Sequence, residues 1–235
     1  MPADDSGAPR QYVSYSFHKV DPAWRRLPAE ERAAGKEAFA KVVEDYRGRA
    51  VVVPFSLVGI RGDCDILLWR IAYELETLQE MTSRLLATGL GNWIETPYQF
   101  LGQAKTSVYE DEFIHPSQEE KRSRVRPGEF KYLFVYPFVK TRAWFLLPQE
   151  ERGRMMKEHI RTGHEYPSIK LNTIYSFGLD DQEWVVAFES NRPSDFVDLV
   201  MELRHSEASA YTLRDTPIFT CVRRDLREAL DLLGG

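Results

Sequence analysis

The chain has 235 residues, of which 43% are hydrophobic and 12% aromatic, so it can bury one large core or two cores of about a hundred residues each. Its net charge is −5, and Lys and Arg are interleaved with Asp and Glu, which disfavours a nucleic-acid-binding protein. The N-terminal stretch has no apolar signal-peptide region, and no run approaches the roughly 18 apolar residues that a membrane span needs. We therefore expect a soluble, cytoplasmic protein without a membrane span.

The first hundred residues predict one compact domain. Residues 1–10 are polar and are expected to form a disordered tail, and the domain itself is assigned to residues 11–106. Pro28 is expected to open the first helix, with glutamates that suit the helix dipole behind it. Apolar alternation and helical spacing predict the remaining elements, which are strands at 12–18, 50–58, 66–71 and 98–104 and a helix that begins near residue 75. The order β-α-β-β-α-β is that of a ferredoxin-like unit.

A long polar connection, assigned to residues 107–129, follows this domain. It is punctuated by prolines and contains the basic run "KRSRVR". Connections of this length without secondary structure are often functional loops. Two interpretations remain open: a solvated linker, or a loop whose arginines face an anion.

Residues 130–235 repeat the order of the first domain. Trp144 follows Trp24 by 120 residues, and Pro148 follows Pro28 by the same distance. The predicted strands of this copy lie at 132–138, 169–177, 184–189 and 218–222. Two tandem copies indicate an α+β protein of two ferredoxin-like repeats, of the dimeric α+β barrel type. We expect no cofactor in the first copy.

One position distinguishes the two copies. The helix opened by Pro148 carries His159 where the first copy has Phe39, and His159 shares its helical face with Met155. An inward histidine on its own is commonly a hydrogen-bonded core residue. The strands of the second copy, however, supply large aromatic residues around it, and a histidine facing an apolar cavity is a common way to bind haem from one side.

The second copy resembles the chlorite dismutase-like superfamily. The resemblance rests on "KYLFVYPFVKTRAWFLLPQEERGRMMKEH", "YSFGLDDQEWVVAFE", "MELRHSEASAYT" and "DTPIFT", which occur together and in the expected order. Within that superfamily the chain is most similar to the coproheme decarboxylases. The resemblance implies peroxide-dependent decarboxylation of two propionates of coproheme to vinyl groups, which gives haem b. It also implies hydrogen peroxide as co-substrate and a homo-oligomer, commonly a pentamer.

The resemblance also implies roles for individual residues. His159 corresponds to the axial ligand of the haem iron, and Tyr136 to the tyrosine whose radical attacks a propionate. Lys140 resembles a lysine that contacts a propionate and exchanges a proton. His115, in the connection, is the candidate base for peroxide. The expected cofactor-binding residues beside His159 are Trp144, Met155, Leu171, Ser209 and one or more of Arg122, Arg124 and Arg126, between which the spacing does not choose.

One departure from the superfamily separates its functions. Chlorite dismutases carry a distal arginine about a dozen residues after the ligand, and this position falls here on Leu171 or Asn172. Neither side chain can hold an anion as arginine does, so chlorite decomposition is disfavoured. A haem binder or carrier of the same fold, or a weak peroxidase, is the alternative to a decarboxylase. A repeat without any cofactor is the third interpretation.

Overall fold

The computed structural model describes residues 9–106 and 124–234. Their contacts divide the chain into two compact units, which are described separately below. The first unit contains residues 9–103 and 220–234, and the second contains residues 104–106 and 124–219. His115 and Arg122, both expected in the site, lie outside the described residues.

The first unit is an antiparallel sheet covered by helices. Its elements in chain order are β1 (Tyr12–Val20), α1 (Ala29–Asp45), β2 (Ala50–Ser56), β3 (Ile66–Ala72), α2 (Leu75–Leu86) and β4 (Ile94–Gln103). Every residue of β3 is buried because the strand lies between β1 and β2, and both faces are covered. Phe39 of α1 and Met81 of α2 pack with Ile66 and Leu68 of this strand, so this part of the helix-facing side is a filled hydrophobic core.

The second unit repeats this architecture. Its elements are β5 (Tyr132–Lys140), α3 (Arg142–Leu146), α4 (Gln149–His164), β6 (Ile169–Tyr175), β7 (Trp184–Ser190), α5 (Pro193–Leu203) and β8 (Thr212–Arg214). The strand order is β4-β1-β3-β2 in the first unit and β8-β5-β7-β6 in the second. Both are the order of a ferredoxin-like sheet, so the predicted α+β fold of two ferredoxin-like repeats is confirmed.

The strand ladders fix which residues of the two repeats correspond. Tyr12–His18 pair with β3 over seven positions, as residues 132–138 of β5 do with β7. Within these ladders Ser16 opposes Leu68, and Tyr136 opposes Val186. The counterpart of Tyr136 is therefore Ser16, whereas alignment of the two copies by sequence pairs it with Tyr15. A shift by one residue moves a side chain to the other face of the sheet.

The end of the chain differs from the expected organisation. Residues 220–234 belong with the first unit, whereas the sequence assigned them to the second domain. In β9 (Phe219–Arg223), Val222 and Arg223 pair with β2, and α6 (Leu226–Asp231) buries Leu230 in the core of the first unit. The strand predicted at 218–222 is present as β9, which neighbours β5 in the strand order, and the short β8 also pairs with β5.

The described helices include none that combines the length and the apolar character needed to traverse a bilayer.

Candidate functional site

The site is built on the side of the second sheet that faces its helices. Residues directly opposite each other in neighbouring strands share one face. The residues of this face, which we call the floor, are Phe134, Tyr136 and Phe138 of β5, Leu171 and Thr173 of β6, and Trp184, Val186 and Phe188 of β7. One end of the floor is packed, because the ring of Phe134 stacks on that of Phe196 of α5, with 4.1 Å between the ring centres. The site therefore has an apolar and largely aromatic base.

The other end of the floor is open. Leu171 is 52% exposed although it lies on the helix-facing side, and Trp184 and Val186 are only half-buried. In the first unit the counterparts of Trp184 and Val186 are Ile66 and Leu68, and both are 0% exposed. The first repeat fills this space with its own side chains. The second repeat leaves apolar surface uncovered, as a flat apolar ligand requires.

His159 lies on α4, one turn after the fully buried Met155. Met155 packs on Trp144 and Ala208, which fixes this face of the helix toward the interior. The Nδ1 atom of His159 is buried and has no hydrogen-bond partner among the described residues. Burial and the nearby charge of Lys140 lower the pKa of His159 to about 4, so the ring is neutral at neutral pH. A neutral imidazole is the form that binds a metal.

Lys140, the last residue of β5, is a buried cation. Its Nζ donates a hydrogen bond to the carbonyl oxygen of Ala208 and lies 4.6 Å from the ring centre of Trp144 and 5.3 Å from that of Phe138. Burial lowers the pKa of Lys140 to about 8. No carboxylate pairs with it among the described residues, so its charge is available to an anionic ligand.

Tyr136 lies in the middle of the floor and is buried, with its ring 6.0 Å from that of Phe188. Burial raises the pKa of the phenol, and the charge of Asp215 raises it further while that of Arg204 opposes the shift. Asp215 and Arg204 form an ion pair with each other. Neither residue could be recognised as part of the site from the sequence, because its position beside Tyr136 depends on the path of the chain after α5.

The other residues predicted to contact the cofactor differ in burial and in hydrogen bonding. Trp144 is buried, and its ring centre lies 5.6 Å from that of Tyr211. Ser209 is half-buried, but its hydroxyl donates to the carbonyl oxygen of Arg204 at 2.8 Å and is therefore engaged within its own turn. Arg124 and Arg126 are exposed, and the backbone carbonyl oxygen of Arg126 accepts a hydrogen bond from Nζ of Lys170 on β6.

Leu171 and Asn172 lie on opposite faces of β6. Leu171 opposes Phe188 and belongs to the floor, whereas Asn172 points to the other side, where its Nδ2 donates to Oε1 of Glu189 at 2.9 Å. The second oxygen of Glu189 accepts from the backbone N–H of Gly128 at 2.8 Å. The sequence left open whether Leu171 or Asn172 takes the place of the distal arginine of chlorite dismutases. Of the two, Leu171 is the residue on the floor. Glu189, which anchors the end of the connection, had no spacing in the sequence to mark it.

These features fit a tetrapyrrole. Such a group brings four nitrogen ligands of its own, and it needs from a protein an axial ligand, an apolar slot and cations for its carboxylates. The second unit offers the neutral imidazole of His159, whose Nδ1 has no partner in the described part of the chain, and the open end of the floor. It also offers the ammonium of Lys140, which has no carboxylate partner there.

Comparisons with known proteins agree with this description. The family model for chlorite dismutase matches residues 32–224. The chain is 32% identical over 219 residues to a coproheme decarboxylase from Mycolicibacterium smegmatis, covering 89% of this chain and 88% of the relative. It is 30% identical over 234 residues to a putative heme-binding protein from Haloquadratum walsbyi, covering 89% of this chain but only 43% of that protein.

Solved structures with a similar fold include, by their names, a chlorite dismutase and a heme-binding protein. The chlorite dismutase of Candidatus Nitrospira defluvii in complex with imidazole superposes with a TM-score of 0.87 at 26% identity, covering 95% of this chain and 94% of the other. A heme-binding protein from Thermus thermophilus superposes with a TM-score of 0.84 at 27% identity, covering 94% and 93%. The repeated fold, the family match over residues 32–224 and the 32% identity to a relative covered over 88% of its length lead to one conclusion: the chain belongs to the chlorite dismutase family.

Proposed function

We propose that this protein is a haem-binding oxidoreductase that converts coproheme to haem b by oxidative decarboxylation of two propionates, with hydrogen peroxide as oxidant. The similarity to the coproheme decarboxylase of Mycolicibacterium smegmatis supports the reaction and the substrate. The observation that carries the proposal is the neutral His159, with an Nδ1 that has no partner among residues 9–106 and 124–234, beside an open apolar floor. The first repeat has Phe39 in its core at the same place.

The overall chemistry balances for each propionate. A C–H bond at the β-carbon and the bond to the carboxylate break, a vinyl group and carbon dioxide form, and two electrons leave the substrate. Hydrogen peroxide takes up these two electrons with two protons and becomes two molecules of water. When bound, the haem supplies the redox chemistry with peroxide, and the remaining tasks fall to the protein.

His159 would hold the haem iron in this proposal, and the apolar floor would exclude water from the bound group. Lys140 is mostly protonated at pH 7, because burial lowers its pKa only to about 8, and it binds a propionate as a cation. The role of Ser209 and of Arg124 or Arg126 as further propionate contacts remains a prediction. So does that of His115 as the base that deprotonates peroxide.

Tyr136 is assigned the transfer of an electron and a proton. Its pKa is raised by burial, so the phenol keeps its proton throughout the physiological range. A neutral phenol that gives up an electron becomes a strong acid, so the proton leaves with the electron. The resulting phenoxyl oxygen takes a hydrogen atom from the β-carbon of a propionate. A buried phenol on an apolar floor suits this role, because little water can reach it.

The Tyr136→Phe variant tests the proposal. It removes one oxygen atom from the floor, so we expect coproheme to bind with affinity within about threefold of wild type, while product formation falls by at least about a hundredfold. Binding is measured by Soret absorbance, and products are measured by chromatography after addition of peroxide. The matched control is Tyr132→Phe on the same strand, which should retain turnover. A Tyr136→Phe variant that forms haem b at the wild-type rate contradicts the assignment.

A haem carrier is the second candidate function. The names of the relatives from Haloquadratum walsbyi and Thermus thermophilus, both described as heme-binding proteins, favour it. A carrier would bind coproheme or haem and give no vinyl product with peroxide in the wild-type protein. Chlorite decomposition is disfavoured, because the floor carries Leu171 where chlorite dismutases place an arginine.

We also propose that the protein acts in the cytoplasm as a homopentamer. Large apolar side chains that remain exposed on the single chain support assembly, among them Leu146 at 84% and Leu213 at 67% exposure.

A further inference from the structure

The floor of the first repeat is polar where that of the second is aromatic. Corresponding positions in the ladders hold Ser14 for Phe134, Ser16 for Tyr136, His18 for Phe138 and Arg70 for Phe188. These four polar residues, which we call the polar floor, are all buried. The function proposed for the second repeat makes no use of them.

Arg70 is 2% exposed, and its hydrogen bonds go only to neutral groups. Its Nη1 donates to Oγ1 of Thr82 at 2.7 Å and to the carbonyl oxygen of Leu78 at 3.4 Å. Its Nη2 donates to the hydroxyls of Ser16 at 2.6 Å and Ser14 at 3.3 Å. No carboxylate pairs with Arg70 within residues 9–106 and 124–234, and its Nε has no acceptor there. The buried guanidinium is therefore a positive charge without a counter-charge.

His18 lies next to Ser16 on the same face of β1 and is 7% exposed. Its Nδ1 is 3.0 Å from Oγ1 of Thr96, while its Nε2 is buried and unpartnered within the described part of the chain. Burial, together with the charge of Arg70, lowers the pKa of His18 to about 3, so the ring is neutral. When the Thr96 hydroxyl donates to Nδ1, the ring proton is on Nε2, and that atom is a donor.

We propose that Arg70 and His18 bind a small monovalent anion in the first repeat, of the class of nitrate, formate or chloride. Within the described residues, the Arg70 charge has no counter-charge, and the buried Nε of Arg70 and the Nε2 of His18, in the tautomer that carries its proton, are donors that such an anion can satisfy. Lys36 provides the contrast within the same unit. It is a buried cation as well, but its Nζ donates to Asp231 at 2.8 Å, so its charge is already paired.

The test uses the full-length chain free of haem, so that added anions cannot bind a haem iron. Nitrate, formate and chloride are titrated separately at constant ionic strength, with gluconate as the bulky replacement anion. The Hε1 resonance of His18, assigned with His18→Gln, should shift to saturation with at least one of them. Above the dissociation constant, the melting temperature should rise by about 3–5 °C for each tenfold increase of that anion.

Two variants complete the experiment. Arg70→Met should abolish both responses, whereas Lys36→Met should leave them unchanged. If no anion gives a saturable shift of His18 in the wild type, the donors are satisfied by water and the proposal is wrong. It is also wrong if Arg70→Met responds as the wild type does. Should Arg70→Met fail to fold, the titration of His18 in the wild type decides alone.

Discussion

Lys140 and His159 are two bases whose pKa values are lowered by burial. A lysine without a carboxylate partner and an imidazole with an unpartnered Nδ1 both destabilise the described part of the chain in the absence of a ligand. Polar groups retained at such a cost are typical of functional sites. A bound tetrapyrrole would satisfy both, one through its iron and the other through a carboxylate.

The Lys140→Met variant tests this at the level of one residue. The pKa of Lys140 is about 8 in the folded chain, against an ordinary value of 10.5, so the unfolded state binds more protons between these pH values. The free energy of unfolding therefore rises with pH in this window, and the full cost is present below pH 8. Met keeps the apolar stem, so we expect the haem-free variant to be about 1–3 kcal/mol more stable at pH 7.

Urea unfolding of both proteins between pH 7 and 10.5 measures the effect. The advantage of Lys140→Met should shrink steadily across this range, because the wild-type lysine loses its proton in the folded state. Coproheme affinity of the variant should fall by about tenfold, owing to the lost ammonium. A variant that is less stable than wild type at every pH would show that the hydrogen bond to Ala208 outweighs burial of the charge.

Residue-level prediction from sequence depended on having two copies to compare. His159 attracted attention only because Phe39 occupies its place in the first repeat. Glu189 and Asp215 had no counterpart of this kind and no spacing that marks a motif. Their importance comes from what lies beside them in space, namely Gly128 for Glu189 and Tyr136 for Asp215, and a single sequence does not contain this information.

At the level of elements, the two repeats use the same ladders to build different floors. Strand alternation predicted β1 and β5 well, but polar residues in an alternating strand ordinarily indicate a solvent-facing side. In β1 the polar residues Ser14, Ser16 and His18 are instead buried on the helix-facing side, where Arg70 bonds to the two serines. Such a polar network can be inferred only once the partner strand and its register are known.

A matched pair of substitutions tests whether only the second floor is open. Val186→Phe adds volume over the half-buried floor, so we expect the haem-free stability to change by less than about 1 kcal/mol and coproheme affinity to fall by more than about tenfold. Leu68→Phe makes the corresponding change in the filled core of the first repeat, where overpacking should cost about 1–3 kcal/mol and leave affinity unchanged.

Chemical denaturation and Soret titration of both variants give the comparison. Equal destabilisation by the two substitutions would mean that Val186 lies in a packed core. In that case no slot for a flat ligand exists above β7, and the description of the site would be wrong.

At the level of the whole molecule, the sequence predicted the two repeats but not where the second one ends. The apolar run 218–222 forms the predicted strand as β9, but an apolar run reveals its tendency to form a strand and not every partner with which it pairs. The structure pairs Val222 and Arg223 with β2 of the first unit, and α6 then packs into that unit. The strand β8, which also pairs with β5, is only three residues long and too polar to be recognised from the sequence.

The central claim concerns the difference between the repeats: one of them holds a tetrapyrrole through His159, and the other does not. Coproheme titration of the wild type, His159→Phe and Phe39→His, followed by Soret absorbance, tests it most directly. We expect one equivalent to bind to the wild type with the spectrum of a histidine-ligated haem. His159→Phe should lose that spectrum, and Phe39→His should still bind a single equivalent. Unchanged affinity and spectrum in His159→Phe would contradict the account.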